Sequence, residues 1–162
     1  MLKSGIPFIL ANRIGKSHPR VTAFFQSLRS ENLPVGAAGF CWGGKHVVLL
    51  AHESDPEVAL IDAGFTAHPS MLSFPGDIDK IALPVSFALS DVDAQVSPAQ
   101  AAMLKSAVEA KEGKAKGEAD IYKGTGHGFA IRADMKFPDN AQVAARAEDQ
   151  CINWFNKCFG FV

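Results

Sequence analysis

The chain has little of what characterises a membrane-spanning, secreted or nucleic-acid-binding protein. No apolar run approaches the ~20 residues that a helix needs to cross a bilayer. Residues 1–15 lack a basic segment followed by a cleavable apolar core. The net charge is −1 and there is no basic run, which argues against a nucleic acid partner. Three cysteines form an odd set that does not suit a disulfide framework, so we expect a cytoplasmic protein.

The composition and the pattern of elements indicate one globular α/β domain over residues 1–162. Hydrophobic residues make up 48% of the chain and charged residues 20%, an ordinary balance for a globular protein. Periodicity predicts strands and helices that alternate, which favours a parallel sheet covered by helices on both faces. The predicted strands are 34–38, 57–65, 81–89 and 119–122, and the predicted helices are 18–30, 45–52, 98–111 and 140–158.

A single cysteine stands where a predicted strand runs into a helix. Residues 39–44 read Gly-Phe-Cys-Trp-Gly-Gly, which is the pattern of a nucleophile elbow with sulfur in place of the usual serine oxygen. Such a turn points the nucleophile outward at a helix N-terminus, where the helix dipole stabilises a thiolate. We expect positions 39 and 43 to require small residues, here Gly39 and Gly43, because the strand and helix backbones nearly touch there. The alternative interpretation of Cys41 is a small, inert, buried apolar residue.

An acid and a base follow the cysteine in the order that acyl transfer on this scaffold requires. Asp91 and Asp93 lie in a polar turn at 90–98, directly after a predicted strand. His127 lies in a glycine-rich loop at 123–129, after the next strand. Because the carboxyl ends of parallel strands meet at one edge of a sheet, the sequence predicts that Cys41, an aspartate and His127 share one site.

With those segments placed, the chain resembles the dienelactone hydrolase family, whose carboxymethylenebutenolidase-like members are α/β-hydrolases with a cysteine nucleophile. The resemblance runs from about residue 34 to the C-terminus, and its specific marks are Gly-Phe-Cys-Trp-Gly-Gly at 39–44 and Gly-His-Gly-Phe at 126–129. It implies a three-layer α/β-hydrolase-like fold with a mostly parallel sheet. It also implies that Cys41 is the nucleophile and His127 the base.

The resemblance leaves two candidates for the acid. The family has a glycine three residues before its acid, and an apolar residue and a proline three and four residues after it. Asp93 fits that spacing better than Asp91, although Ser90 and Ser97 stand where the glycine and the proline would be. We therefore expect Asp93 to orient His127, with Asp91 as the alternative.

The resemblance further implies that the chain is shortened at its N-terminus, because the family has several strands before its nucleophile. Here only an apolar segment at 5–10 and helix 18–30 precede strand 34–38. The backbone N–H of Trp42 is expected to be one oxyanion donor, whereas residues 1–33 offer no recognisable second donor. Losing one donor typically costs about 100- to 1000-fold in turnover. We expect weak activity, and an unpaired sheet edge that favours a homodimer.

Two further side chains are candidates for substrate binding. His68 follows strand 57–65 at the same edge as Cys41, where the family often has a His-Pro pair beside its pocket. Arg132 could hold a substrate carboxylate through two parallel hydrogen bonds, as a family arginine beyond the histidine does, or it could pair with Asp134 at the surface. Trp42 and Phe129 fit a pocket wall and the core equally well.

The predicted function is hydrolysis of small ester or lactone substrates through Cys41, His127 and Asp93, without a metal or cofactor. A metal site is disfavoured because His46 and His52 are six residues apart and do not share a helix face. The alternative function is a shortened hydrolase-like domain that binds a small molecule or a protein without turnover.

Overall fold

The computed structural model of the chain describes residues 11–134 and 138–161, so the apolar segment at 5–10 lies outside the described residues. Within these residues, four parallel strands form one sheet in the order β1-β2-β3-β4. The strands are β1 Gly36–Phe40, β2 Ala63–Ala67, β3 Val85–Val92 and β4 Glu118–Gly126. The helices are α1 Ile14–Arg29, α2 Trp42–Leu50, the single turn α3 Gly76–Asp79, α4 Pro98–Glu109 and α5 Pro138–Phe159, with a 3₁₀ turn at Gly113–Ala115.

Helices cover both faces of the sheet and so give the three layers that the sequence predicts. One face packs against α2 and α4, and its core includes Val47, Phe87 and Leu104. The other face packs against α5, and its core includes Phe65 and Trp154. Successive strand residues alternate between the two cores, as period-2 geometry requires.

Two predicted strands begin too early. The apolar run at 57–65 starts with a turn in which the Asp55 carboxylate accepts the Glu57 N–H at 3.0 Å, and β2 begins only at residue 63. The run at 81–89 starts with a segment hydrogen-bonded to the carbonyl of Ala51, and β3 begins after Pro84, which lacks an N–H. Ala59 and Ile61 in the first segment and Ile81 and Leu83 in the second are buried, whereas Val58 is exposed. Burial without strand pairing therefore explains most of the apolar pattern in these segments.

Helix α4 begins at the residue that the sequence predicts. Ser97 accepts a hydrogen bond from the Gln100 N–H, and the Gln100 side chain accepts one from the Ser97 N–H. This capping box, followed by Pro98 in the first turn, satisfies backbone donors that have no partner within the helix.

Helix α1 lies against α2 through a pair of histidines. Nδ1 of His18 lies 3.1 Å from Nδ1 of His46, and Nε2 of His46 lies 3.2 Å from the Ser17 hydroxyl oxygen. The two imidazole rings are stacked, with centroids 5.3 Å apart. Burial, followed by neighbouring positive charge, lowers the pKa of both histidines, so the pair favours its uncharged form.

Strand β1 has a neighbour on one side among the described residues. The Val35 carbonyl and the Cys41 N–H form hydrogen bonds on the side of β1 that faces β2. Because the backbone N–H and C=O groups of successive strand residues point to alternate sides, those of Gly36, Ala38 and Phe40 point to the opposite side. Of the described helices, none is both long and apolar enough to span a bilayer.

Candidate active site

Cys41 occupies a strained turn between β1 and α2. Its backbone has φ 53° and ψ −118°, in a region that a residue with a side chain rarely adopts. Its N–H is bonded to the Ala67 carbonyl at 3.2 Å, which fixes the turn to the neighbouring strand β2. The side chain is therefore presented at the N-terminus of α2, as an elbow requires.

The glycines of this turn do different work from what the sequence predicts. A Cβ at Gly39 would lie 2.5 Å from the Gly43 carbonyl oxygen, so Gly39 is tight as expected. A Cβ at Gly43 would meet nothing within 4 Å, so the expectation that position 43 requires a small residue is wrong. The close approach is instead at Gly44, where a Cβ would overlap Thr66 Oγ1 and lie 2.8 Å from Pro69 Cβ. This contact holds α2 close to the loop after β2.

The structure brings the three predicted catalytic side chains together. His127 Nε2 lies 3.0 Å from Cys41 Sγ, and His127 Nδ1 lies 2.8 Å from Asp93 Oδ2. Each side chain follows a different parallel strand, namely β1, β3 and β4, at the carboxyl edge of the sheet. The imidazole thus connects a thiol to a carboxylate whose side chain is only 1% exposed.

The contacts distinguish the two candidate acids. Asp93 lies directly after β3, and its carboxylate also accepts a hydrogen bond from the Gln95 N–H at 2.8 Å, which fixes the carboxylate toward His127. Asp91 remains within β3, and its carboxylate accepts the Thr125 N–H at 3.3 Å. Ser90, where the family has glycine, is buried and donates its hydroxyl to the Thr125 carbonyl. The geometry therefore favours Asp93 as the partner of His127.

The electrostatics of Cys41 and His127 favour transfer of the thiol proton to the imidazole. Burial alone would raise the pKa of Cys41, but hydrogen bonds from His127 and Ser70, the His127 charge and the Trp42 N–H together lower it. Burial alone would lower the pKa of His127, but its contacts with Cys41 and Asp93 together raise it. Opposite shifts of this kind are typical of a nucleophile and its base.

His68 lies behind His127 rather than in an open pocket. Its side chain is fully buried, and its ring meets that of His127 edge to face, with centroids 5.1 Å apart and 69° between the ring planes. Burial, followed by the charge of His127, lowers the pKa of His68 to about 4, so the ring is uncharged near neutrality. Neither ring nitrogen has a hydrogen-bond partner among the described residues. Substrate contact by His68 stays a prediction.

Arg132 lies beside the His127 loop. Its N–H bonds to the Gly128 carbonyl at 2.8 Å, and its guanidinium covers Gly128, where a Cβ would lie 2.9 Å from Arg132 Nε. A cavity of about 250 Å³ is lined by His127, Arg132 and Asn140, among others. The interpretation of Arg132 as a carboxylate ligand stays a prediction. Phe129 is buried in the core, and Trp42 packs edge-on against His46.

Sequence reasoning missed Ser70, whose hydroxyl oxygen lies 3.8 Å from Cys41 Sγ. Its N–H also bonds to the Cys41 carbonyl at 3.0 Å. The signal in the sequence was its place directly after His68 and Pro69 at the end of a strand that borders the site.

The other cysteines and histidines lie in different surroundings. Burial, followed by the charge of Glu148, raises the pKa of Cys151 to about 11, and burial likewise raises that of Cys158. The ring of His52 bonds to the Asp77 carbonyl oxygen at 2.8 Å. In the part of the chain that the structure describes, no three His, Cys, Asp or Glu side chains are grouped as metal ligands.

Comparison with known proteins identifies the family to which the chain is similar. The model of the dienelactone hydrolase family matches residues 11–159. Hydrolase pyvD of Aspergillus violaceofuscus is 28% identical over 145 residues, and hydrolase tropI of Talaromyces stipitatus is 29% identical over 151 residues. Each alignment covers 88% of this chain and 56% of the relative, so the chain spans about half the length of these two proteins.

Solved structures share the fold. A dienelactone hydrolase-like promiscuous phosphotriesterase, P91 from metagenomic libraries, has a TM-score of 0.70 at 23% identity, over 98% of this chain and 67% of that one. A monoacylglycerol lipase of Paleococcus ferrophilus has a TM-score of 0.57 at 9% identity, over 85% and 76% of the two chains. With the family match extending over nearly the whole sequence, the chain belongs to the dienelactone hydrolase family and has an α/β-hydrolase-like fold.

Proposed function

We propose that this chain hydrolyses esters or lactones through Cys41 as nucleophile, His127 as base and Asp93 as the acid that orients the base. The observation that carries the proposal is the position of one imidazole, 3.0 Å from the Cys41 sulfur and 2.8 Å from the Asp93 carboxylate. This arrangement meets the geometric requirement for an activated nucleophile: the base is within hydrogen-bond reach, and a third group holds it.

The reaction runs in two stages. His127 Nε2 takes the thiol proton, and the sulfur attacks the carbonyl carbon while negative charge moves to the carbonyl oxygen. The Trp42 N–H, at the start of α2, is the donor that we propose for this oxyanion. The intermediate collapses, the bond to the leaving oxygen breaks, and His127 returns the proton to that oxygen. His127 then takes a proton from water as the water oxygen attacks the thioester carbonyl carbon. The C–S bond breaks, the carboxylic acid leaves, and His127 returns the proton to the sulfur.

Sulfur as the attacking atom favours esters and lactones over amides. A thiolate is a good nucleophile at neutral pH, but it is also a good leaving group. In the intermediate formed from an amide, the amine therefore departs in place of the sulfur only when it is strongly protonated. An alkoxide leaves more readily and needs less help from His127. Arg132, whose guanidinium lies over Gly128 next to His127, is the residue that we propose to pair with a carboxylate elsewhere on the substrate.

The test is hydrolysis of a small panel: an aryl acetate, a simple lactone, and an ester with and without a free carboxylate. We expect Cys41→Ala to abolish turnover and Cys151→Ala, the matched cysteine control, to retain it. Mass spectrometry of the intact protein should show an acyl group on wild-type protein and none on Cys41→Ala. Turnover that survives Cys41→Ala contradicts the proposal.

Two results would extend or replace this assignment. We expect Arg132→Gln to raise KM for the carboxylated ester more than for the uncharged one. Absence of both turnover and acylation in the wild-type chain would favour the alternative of a hydrolase-like domain that binds without reacting.

A further inference from the structure

The Cys41 sulfur has hydrogen-bonding neighbours from three parts of the chain. His127 Nε2 approaches from the loop after β4, and the Trp42 N–H from the first turn of α2. Ser70 Oγ approaches from the loop after β2, at 3.8 Å, which is within the range for a hydrogen bond to sulfur. The first two neighbours have roles in the proposed mechanism, whereas the serine has none.

The backbone holds Ser70 against the sulfur from two directions. The Ser70 N–H bonds to the Cys41 carbonyl at 3.0 Å, and the His68 N–H bonds to the Ala88 carbonyl at 2.8 Å. His68 and Met71 have φ of 39° and 61°, values that cost free energy and persist where surrounding contacts fix them. Pro69, between them, packs against Gly44 of α2. The Ser70 residue is only 6% exposed, so its hydroxyl is largely removed from water.

The direction of the Ser70 hydrogen bond follows from counting hydrogens. A thiol has one hydrogen, and the contact of 3.0 Å with His127 Nε2 is where that hydrogen goes. The sulfur can then only accept from Ser70. Among the described residues, Ser70 Oγ has no hydrogen bond other than this contact, so its hydrogen is available to the sulfur.

We propose that Ser70 is a positioning residue that donates its hydroxyl hydrogen to the Cys41 sulfur and so holds the resting site as a thiolate paired with imidazolium. The proposal rests on the proposed function, in which Cys41 is the nucleophile. It deepens that function, because it makes ionisation of the sulfur a property of the free protein rather than a step that begins when substrate binds.

The surrounding charges fit a resting ion pair. On imidazolium, Nε2 faces the thiolate and Nδ1 faces the Asp93 carboxylate, so each N–H has a negative partner. His68, behind the ring, is uncharged near neutrality and adds no competing positive charge. The Arg132 guanidinium, over Gly128, is a further cation beside this loop. Removing the serine hydroxyl would leave the thiolate with one donor fewer and shift the proton back toward sulfur.

The experiment measures ionisation of Cys41 directly, without substrate. The rate of iodoacetamide reaction at Cys41, followed by peptide mass spectrometry, gives the pKa of the thiol from its pH profile. The thiolate absorbance of wild type minus Cys41→Ala gives the same pKa independently. The proteins compared are wild type, Ser70→Ala, Ser70→Thr and Ser73→Ala, which removes an exposed hydroxyl from the same loop.

We expect Ser70→Ala to raise the pKa of Cys41 by about one unit, which is about a tenfold slower alkylation below the pKa. We expect Ser73→Ala to match wild type, and Ser70→Thr, which keeps the hydroxyl, to fall nearer wild type than Ser70→Ala. An unchanged profile in a folded Ser70→Ala protein overturns the proposal. So does a fall in kcat at constant pKa, which would mean that the hydroxyl acts on the substrate. Neither result touches the nucleophile assignment, which fails only if Cys41→Ala keeps its esterase activity.

Discussion

The Nε2 atom of His127 lies 3.0 Å from the Sγ atom of Cys41, although one residue follows the last strand of the sheet and the other follows the first. The contact exists because both strands are parallel and end at the same edge. It makes one cysteine of the three chemically different from the others, and this difference can be measured.

We predict that Cys41 alkylates at least tenfold faster than Cys151 and Cys158 near neutral pH, since each pKa unit changes the thiolate fraction about tenfold. Its pKa is lowered by its hydrogen bonds, whereas burial raises the pKa of the other two. His127→Ala should slow labelling of Cys41 and leave the other cysteines unchanged. Peptide mass spectrometry after brief iodoacetamide treatment reads all three sites at once; equal rates would count against an activated thiol.

Asp93→Asn and Asp91→Asn form a matched pair that tests the acid. We expect Asp93→Asn to lower kcat by about 1000-fold or more, because an amide stabilises neither the reactive tautomer of His127 nor the imidazolium. Asp91→Asn keeps an oxygen for the Thr125 N–H, so its kcat should stay within about threefold of wild type. Steady-state kinetics with the best ester substrate of the panel measure kcat for both variants and so test the assignment. A larger loss in Asp91→Asn would reverse the assignment.

Gly44→Ala and Gly43→Ala test which glycine the elbow requires. A methyl group at Gly44 would overlap Thr66 and Pro69, so we expect a loss of about 1–3 kcal/mol in the free energy of unfolding. A methyl group at Gly43 meets nothing within 4 Å, and alanine is the better helix former, so Gly43→Ala should be neutral or stabilising. Urea unfolding at equilibrium measures both. Similar losses in the two variants would show that the short distances at Gly44 do not control the turn.

The histidine pair between α1 and α2 predicts a stability that depends on pH. Because folding lowers the pKa of His18 and His46, the unfolded chain binds more protons, and the stabilisation is present above the unfolded pKa of about 6.5 and is lost as pH falls through the folded values. Urea unfolding at about pH 7.5 and about pH 5.5 should show a smaller difference in His18→Gln than in wild type. An equal or larger difference in the variant would contradict this account.

Much of the site could be predicted from sequence because its parts are local patterns. Cys41 and His127 each stand among small residues directly after a predicted strand, and that pattern marks them without knowledge of the fold. Asp93 could be preferred to Asp91 only from the spacing that the family shows, because Asp91 is equally polar and only two residues away. Gly44 and Ser70 could not be assigned, since their roles arise from contacts between α2 and the loop after β2. The positive φ of His68 and Met71 that shapes this loop has no glycine to signal it.

The backbone of Cys41 has a consequence for how this turn can change. A side chain at φ 53° and ψ −118° opposes folding by about 1–3 kcal/mol, and glycine alone among the amino acids would relieve that strain. Cys41→Gly should therefore melt at a higher temperature than Cys41→Ala, although neither has a nucleophile. A lineage that lost its need for the thiol would gain thermostability by placing glycine here, so retention of a side chain at residue 41 opposes the stability of the protein.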